Sequence, residues 1–203
     1  MNVLEAALRR IASDLARRGR EWALVGGFAV SARADPGFTR DIDAAVVTGD
    51  DVDGEALVRS LIGDGYVLLA SVEQIETGRL ATVRLGSPLV AGDVVVHLLF
   101  ASSGIETEVV HEAEMTEVVP GLRLPIATTG HLIALKLLAR DDEARPQDLA
   151  DLHALRMVAT PSDLATTREA VRLITERGFS HGRDLIAALQ AVEQMPDTPT
   201  HDA

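Results

Sequence analysis

Apolar residues recur at Leu4, Leu8, Ile11 and Leu15, a spacing of three to four that predicts a helix over 2–19 with one buried stripe. Gly19 is placed to end it. Trp22-Ala23-Leu24-Val25 is an unbroken apolar run, the pattern of a short buried strand, and it stops at Gly26-Gly27. Phe28 to Ala34 fits a short helix ended by the turn signal Asp35-Pro36-Gly37. Ile42 to Val47 is a second apolar strand, and a helix over 52–63 follows, with Val52, Leu57, Leu61 and Ile62 apolar.

Strands are predicted around Tyr66–Ala70 and Leu80–Leu85, and most strongly at Asp93 to Phe100, bounded by Gly92 and Ser102-Ser103-Gly104. A strand pair spans Glu117 to Pro125 with its turn at Pro120-Gly121. From Thr128 the period changes, and helices fit Thr129–Arg140, Pro146–Val158, Ser162–Arg177 and Gly182–Met195. The fold class is therefore α/β (α+β): a mixed sheet with flanking helices over 1–127, a helical domain over 128–195, and a polar tail, 196–203, expected to be disordered.

Composition narrows the functions available. A chain of 203 residues, 47% hydrophobic and 25% charged, has the balance of a soluble globular protein. It has no cysteine, which excludes disulfide scaffolds, thiolate metal sites and cysteine nucleophiles. No apolar stretch reaches the roughly 18–20 residues of a spanning helix, and residues 1–20 lack a signal-peptide pattern, so a cytoplasmic protein without membrane contact is expected. The net charge of -12 repels nucleic acid unless a local basic patch intervenes. On a helical wheel Arg9, Arg10, Arg17 and Arg20 share the face opposite the apolar stripe; that face is either such a patch or simply solvated.

Candidate chemistry begins at Asp41-Ile42-Asp43. Alternate side chains of a strand share a face, so the two carboxylates project together while Ile42 enters the core. Paired carboxylates repel unless a cation lies between them, and Mg²⁺ takes one or two carboxylates plus waters and phosphate oxygens. An Asp-x-Asp alone is more often a solvated turn. Here it follows Gly26-Gly27 by about fifteen residues, and glycines between a strand and a helix let backbone N–H groups approach a phosphate. A phosphate cradle and in-phase carboxylates are what nucleotidyl transfer requires.

Val25-Gly26-Gly27-Phe28-Ala29-Val30 followed by Thr39-Arg40-Asp41-Ile42-Asp43 resembles the signature of the DNA polymerase β-type nucleotidyltransferase superfamily, nearest the AbiEii/MenT-type toxins of type IV toxin–antitoxin systems. Leu132-Ile133-Ala134-Leu135-Lys136 and Arg145-Pro146-Gln147-Asp148-Leu149-Ala150-Asp151-Leu152 resemble that group's Lys and Asp-x-x-Asp motifs. The resemblance covers about 22–155. It implies a nucleotidyltransferase-like fold in which Gly26 and Gly27 cradle an NTP triphosphate beside Thr39 and Arg40. Asp41 and Asp43 would hold Mg²⁺, Lys136 would reach the phosphates, and Asp148 or Asp151 would orient a metal water or Lys136. The alternative for the last three is a surface ion-pair network with Arg140 and Arg145.

The resemblance places a third carboxylate, the base, on a neighbouring strand, but this chain has His97 there. Either His97 accepts the proton, or Asp148 or Asp151 substitutes, or the enzyme is slow; a lone His in an apolar strand is otherwise a core residue. The implied acceptor is the 3′ end of a tRNA held by the arginine face of the first helix, making the protein a toxin that blocks translation. The implied partner is a cognate antitoxin that phosphorylates Thr39, placing negative charge beside the dyad. Two alternatives stay open: a small hydroxylated acceptor, as in antibiotic nucleotidyltransferases, and a non-catalytic nucleotide-binding regulator.

Overall fold

The computed structural model describes residues 3–34, 41–75, 77–88, 94–140 and 146–194. The turn Asp35-Pro36-Gly37, Thr39, Arg40, Asp93, Arg145 and the tail lie outside the described residues. Helix α1 (Val3–Arg17) buries Leu8, Ile11 and Leu15 completely, worth about 1.5–3 kcal/mol each. Gly19 ends it in the left-handed region, φ 63°, where Arg20 N–H reaches Leu15 O and Gly19 N–H reaches Ala16 O. The helix is thus shorter than 2–19, and Arg20 lies beyond it, not on its arginine face.

Strand β1 (Trp22–Val25) is buried throughout, and helix α2 (Gly26–Arg33) starts on the glycines themselves rather than at Phe28. Next come β2 (Ile42–Val46), α3 (Asp51–Gly63), β3 (Val67–Glu73), β4 (Leu80–Gly86) and β5 (Val95–Leu99). A six-residue helix absent from the sequence expectations, α4 (Glu106–His111), precedes β6 (Glu114–Val119) and β7 (Leu122–Ile126). Its two turns are too short for a periodic signal to emerge. The chain then forms α5 (Thr129–Ala139), α6 (Pro146–Val158), α7 (Pro161–Glu176) and α8 (Leu185–Glu193).

One mixed sheet runs β3-β4-β5-β2-β1-β7-β6. Strands β2 and β5 are parallel, as are β1 and β7, while the other neighbours are antiparallel. This order places the two most apolar early strands in its middle, where alternate faces are both covered. It also sets Val25, Asp43 and His97 side by side, since Val25 pairs with Asp43 and Asp43 with His97. Helix α5 begins at the cap of Thr128 on His131 N–H and packs against α7, where Thr167 Oγ1 donates to Gly130 O at 3.0 Å. Among the described residues no helix is long and apolar enough to cross a membrane.

Candidate active site

A cleft of about 350 Å³ opens where β1 turns into α2, lined by Gly26, Gly27, Asp43, His97, Lys136 and Asp148 among others. Its floor is set by the sheet. Asp43 projects from β2 while Ile42 and Ala44 are fully buried, the alternation expected of the strand. Asp41 is half-buried and immediately precedes β2, beside the segment that carries Thr39 and Arg40.

Gly26 is held at φ 65° so close to Asp43 that a Cβ on it would fall 1.9 Å from Asp43 Oδ2. No side chain with a Cβ fits there, and a left-handed backbone disfavours one as well. Val25, at the helix N-cap, offers no side-chain cap, so the first N–H groups of α2 face the cleft end without that intrahelical satisfaction. A helix start of this kind has the backbone donors that an anion site uses.

Lys136 enters from α5 with its ammonium 2.8 Å from Asp148 Oδ1 and 2.6 Å from Asp151 Oδ2. The two aspartates stand one turn apart on α6, which is why both reach one cation. Burial pushes the Lys136 ammonium down, but the hydrogen bonds to Asp148 and Asp151 outweigh it and hold it above the ordinary lysine value. An ammonium has three N–H donors, so one remains for a ligand. Asp148 is 4% exposed and lines the cleft, whereas Asp151 is not among the lining residues. Asp148 Oδ2 is buried without a hydrogen-bond partner among the described residues.

His97 is joined on both sides. Its Nδ1 lies 2.8 Å from Asp43 Oδ1, and its Nε2 accepts from Arg84 Nε at 3.2 Å. Arg84, on β4, went unnoticed in the sequence because nothing in a strand pattern says which neighbour it will face. The wall formed by Ser102, Ser103 and His181 also went unnoticed. Both serines donate to Glu106 Oε1 through backbone and hydroxyl, and His181 takes the left-handed region at φ 52°. The Ser-Ser-Gly run was visible only as a strand boundary, and the loop of His181 has no periodicity at all.

The arginines of the first helix and of the turn after it are committed elsewhere. Arg10 and Arg17 bind the buried carboxylate of Asp14, Arg17 and Arg18 bind Asp64 of the α3 terminus, Arg20 binds Asp53, and Arg9 binds Glu5. The face is therefore an ion-pair network and not a row of open cations.

The cleft brings together a glycine turn, a strand carboxylate and a lysine–aspartate pair, and the chain that carries it matches a family model over nearly its whole length. It is that of the nucleotidyl transferase AbiEii toxin of type IV toxin–antitoxin systems, matched over residues 7–201. The chain belongs to the AbiEii family. Its members are nucleotidyltransferases, enzymes that take NTP substrates and typically a divalent metal, and the family is one of toxins partnered by antitoxins.

Among solved structures the chain is similar to an antigenic nucleotidyltransferase-like protein from Paracoccidioides brasiliensis, with 16% identity, 93% of this chain and 92% of that one covered, and a TM-score of 0.52. The antibiotic-resistance factor ANT(2'')-Ia matches with 19% identity, 93% and 89% coverage and a TM-score of 0.47. MenT4, a nucleotidyltransferase toxin from Mycobacterium tuberculosis, matches with 15% identity, 94% and 92% coverage and a TM-score of 0.42. Comparison with curated proteins returns no sequence match.

Proposed function

We propose that the protein transfers a nucleoside monophosphate from an NTP to an acceptor hydroxyl with Mg²⁺, that the acceptor is the 3′ end of a tRNA, and that growth inhibition follows from the block to translation. The observation that carries the transfer reading is the fit of Gly26 over Asp43 at the wall of the cleft, a left-handed backbone approach that only glycine makes. The charge balance supports a metal. Among the described residues that line the cleft, Asp43 and Asp148 face the single ammonium of Lys136, so an anionic triphosphate needs a further cation to enter.

Among the described residues no three His, Cys, Asp or Glu side chains are grouped to hold a metal ion. That suits Mg²⁺, which is content with one or two carboxylates when substrate phosphates and water complete its shell. Asp41 and Asp43 would hold it, and it would neutralise charge on the phosphates. Gly27 and the first turn of α2 receive phosphate oxygens through backbone N–H groups. Lys136 offers its third N–H to a phosphate while Asp148 and Asp151 aim it. Thr39 and Arg40 are assigned to the phosphate path beside the dyad, and an antitoxin would silence the enzyme by phosphorylating Thr39.

The acidic cleft favours a second acceptor, a cationic hydroxylated small molecule, and the ion-paired arginines of α1 and of the turn after it remove one argument for RNA. Both readings are tested by incubating the protein with each NTP labelled at the α-phosphate, Mg²⁺ and total RNA. Label in tRNA supports the toxin reading, and label only in an added aminoglycoside supports the second. Transfer that survives Asp41→Ala and Asp43→Ala sinks both.

A further inference from the structure

Across three adjacent strands, pairing sets Arg84, His97 and Asp43 in one row: Arg84 on β4 opposes His97 on β5, and His97 opposes Asp43 on β2. Neighbouring strands lie about 4.7–4.9 Å apart and paired residues share a face, so the row follows from register and not from a chance of rotamers. Within it the donor of each hydrogen bond can be deduced. A guanidinium has no acceptor, so in Arg84 Nε–H···Nε2 the histidine nitrogen must be the bare one. The proton of the neutral ring is then on Nδ1, and it points at Asp43 Oδ1, a carboxylate oxygen that can only accept. Both neighbours of His97 demand the same tautomer.

We propose that His97 is a positioning residue, which holds Asp43 by donating Nδ1–H to its Oδ1 and, with Nε2 occupied by Arg84, does not take the proton of the acceptor hydroxyl. The proposal rests on the reading of Asp43 as a ligand of the nucleotide-bound metal. Asp43 is oriented from both ends: His97 holds Oδ1, and the backbone of Gly26 bounds Oδ2. A carboxylate in place of His97 would set a second negative charge against Asp43, whereas an N–H fixes the ligand and leaves its charge intact. What position 97 must supply is an N–H at the place of Nδ1, and basicity is immaterial there.

Asparagine places its amide nitrogen where Nδ1 lies and has no basic nitrogen; leucine supplies neither. Transfer is measured for wild type, His97→Asn and His97→Leu, with melting curves to confirm folding. His97→Leu is expected to lose about 10- to 100-fold in kcat, the usual effect of removing a partner that orients a ligand. His97→Asn is expected to recover most of that loss. If His97 were the base, both variants would fall together by about 10²- to 10⁴-fold, and a His97→Asn as inactive as His97→Leu overturns the proposal.

A measurement independent of turnover uses the metal-free wild-type protein, with long-range ¹H–¹⁵N correlations of the imidazole rings at a pH well above the ordinary histidine range. His97 is expected as the single Nδ1–H tautomer, and the Nε2–H tautomer overturns the proposal whatever the activity. A wild-type protein that shows the Nδ1–H tautomer but transfers no nucleotide overturns the transfer reading and upholds the hydrogen-bonded row.

Discussion

Two buried aspartates, Asp14 and Asp148, sit in opposite circumstances. Asp14 on α1 is 1% exposed and fully engaged: Arg10 Nε donates at 2.7 Å, Tyr66 O–H at 3.0 Å, and Arg17 takes the other oxygen. Its cations reach on to Asp64 and tie α1 to the end of α3. Asp148 is buried to a similar degree, yet it has one cation, shared with Asp151, and an oxygen with no partner among the described residues. A buried carboxylate whose lone pairs are all used is a structural clip. One left short of donors, at the wall of the cleft, is where the proposed reaction would seat a ligand.

The contrast is sharpest where chemistry and stability should separate. Asp43→Ala is expected to lower transfer by on the order of 10³-fold, several kcal/mol of transition-state stabilisation, with little change in melting temperature. A variant with near-wild-type transfer would place the reaction elsewhere. Gly26→Ala forces a Cβ onto Asp43 and strains a left-handed backbone; about 10²-fold in kcat from misplacement of the carboxylate and about 1–2 kcal/mol of stability are expected. If kinetics and urea melts of Gly26→Ala match wild type, the close approach has no functional meaning.

Asp14→Ala should do the reverse. About 2 kcal/mol of stability is expected to go, read from denaturant midpoints, while activity per folded molecule stays the same. Loss of activity without loss of stability would show that the α1 network belongs to the site.

The smallest effects are those of pH, and they fall at opposite ends. Burial pushes the Asp14 carboxyl up, but hydrogen bonds from Arg10, Arg17 and Tyr66 outweigh it and hold it below the ordinary range. Its contribution is present above the unfolded value and is lost as pH falls through the folded one, below about pH 4. Lys136, held above its ordinary value, contributes fully below the unfolded pKa and loses that contribution as pH rises through the folded one, above about pH 10. Comparing acid and alkaline melts of wild type with Asp14→Ala and Lys136→Met checks the signs. Each variant should flatten one limb only.

Most of the fold was legible because its signals are local. The apolar stripe of α1, the runs Trp22–Val25 and Val95–Leu99, and the start of α6 at Pro146 follow from periodicity and backbone chemistry within a few residues. The error at Arg20 has a local cause as well. A helical wheel assumes that the helix continues, and the left-handed Gly19 ends it first. The arginine face looked basic because a wheel shows one helix; Asp53 and Asp64, more than thirty residues away, neutralise it from α3.

By itself the sequence determined the α/β class, the glycine turn, the position of Asp43 on a strand and the membership of the family. Each of these depends on residue type and short-range spacing. The tertiary structure alone decided that β2 lies between β1 and β5, that Lys136 is shared by Asp148 and Asp151, and that His97 stands between Asp43 and Arg84. Strand order and register are long-range choices, set by which apolar faces bury one another, and a one-residue slip would turn His97 away from Asp43.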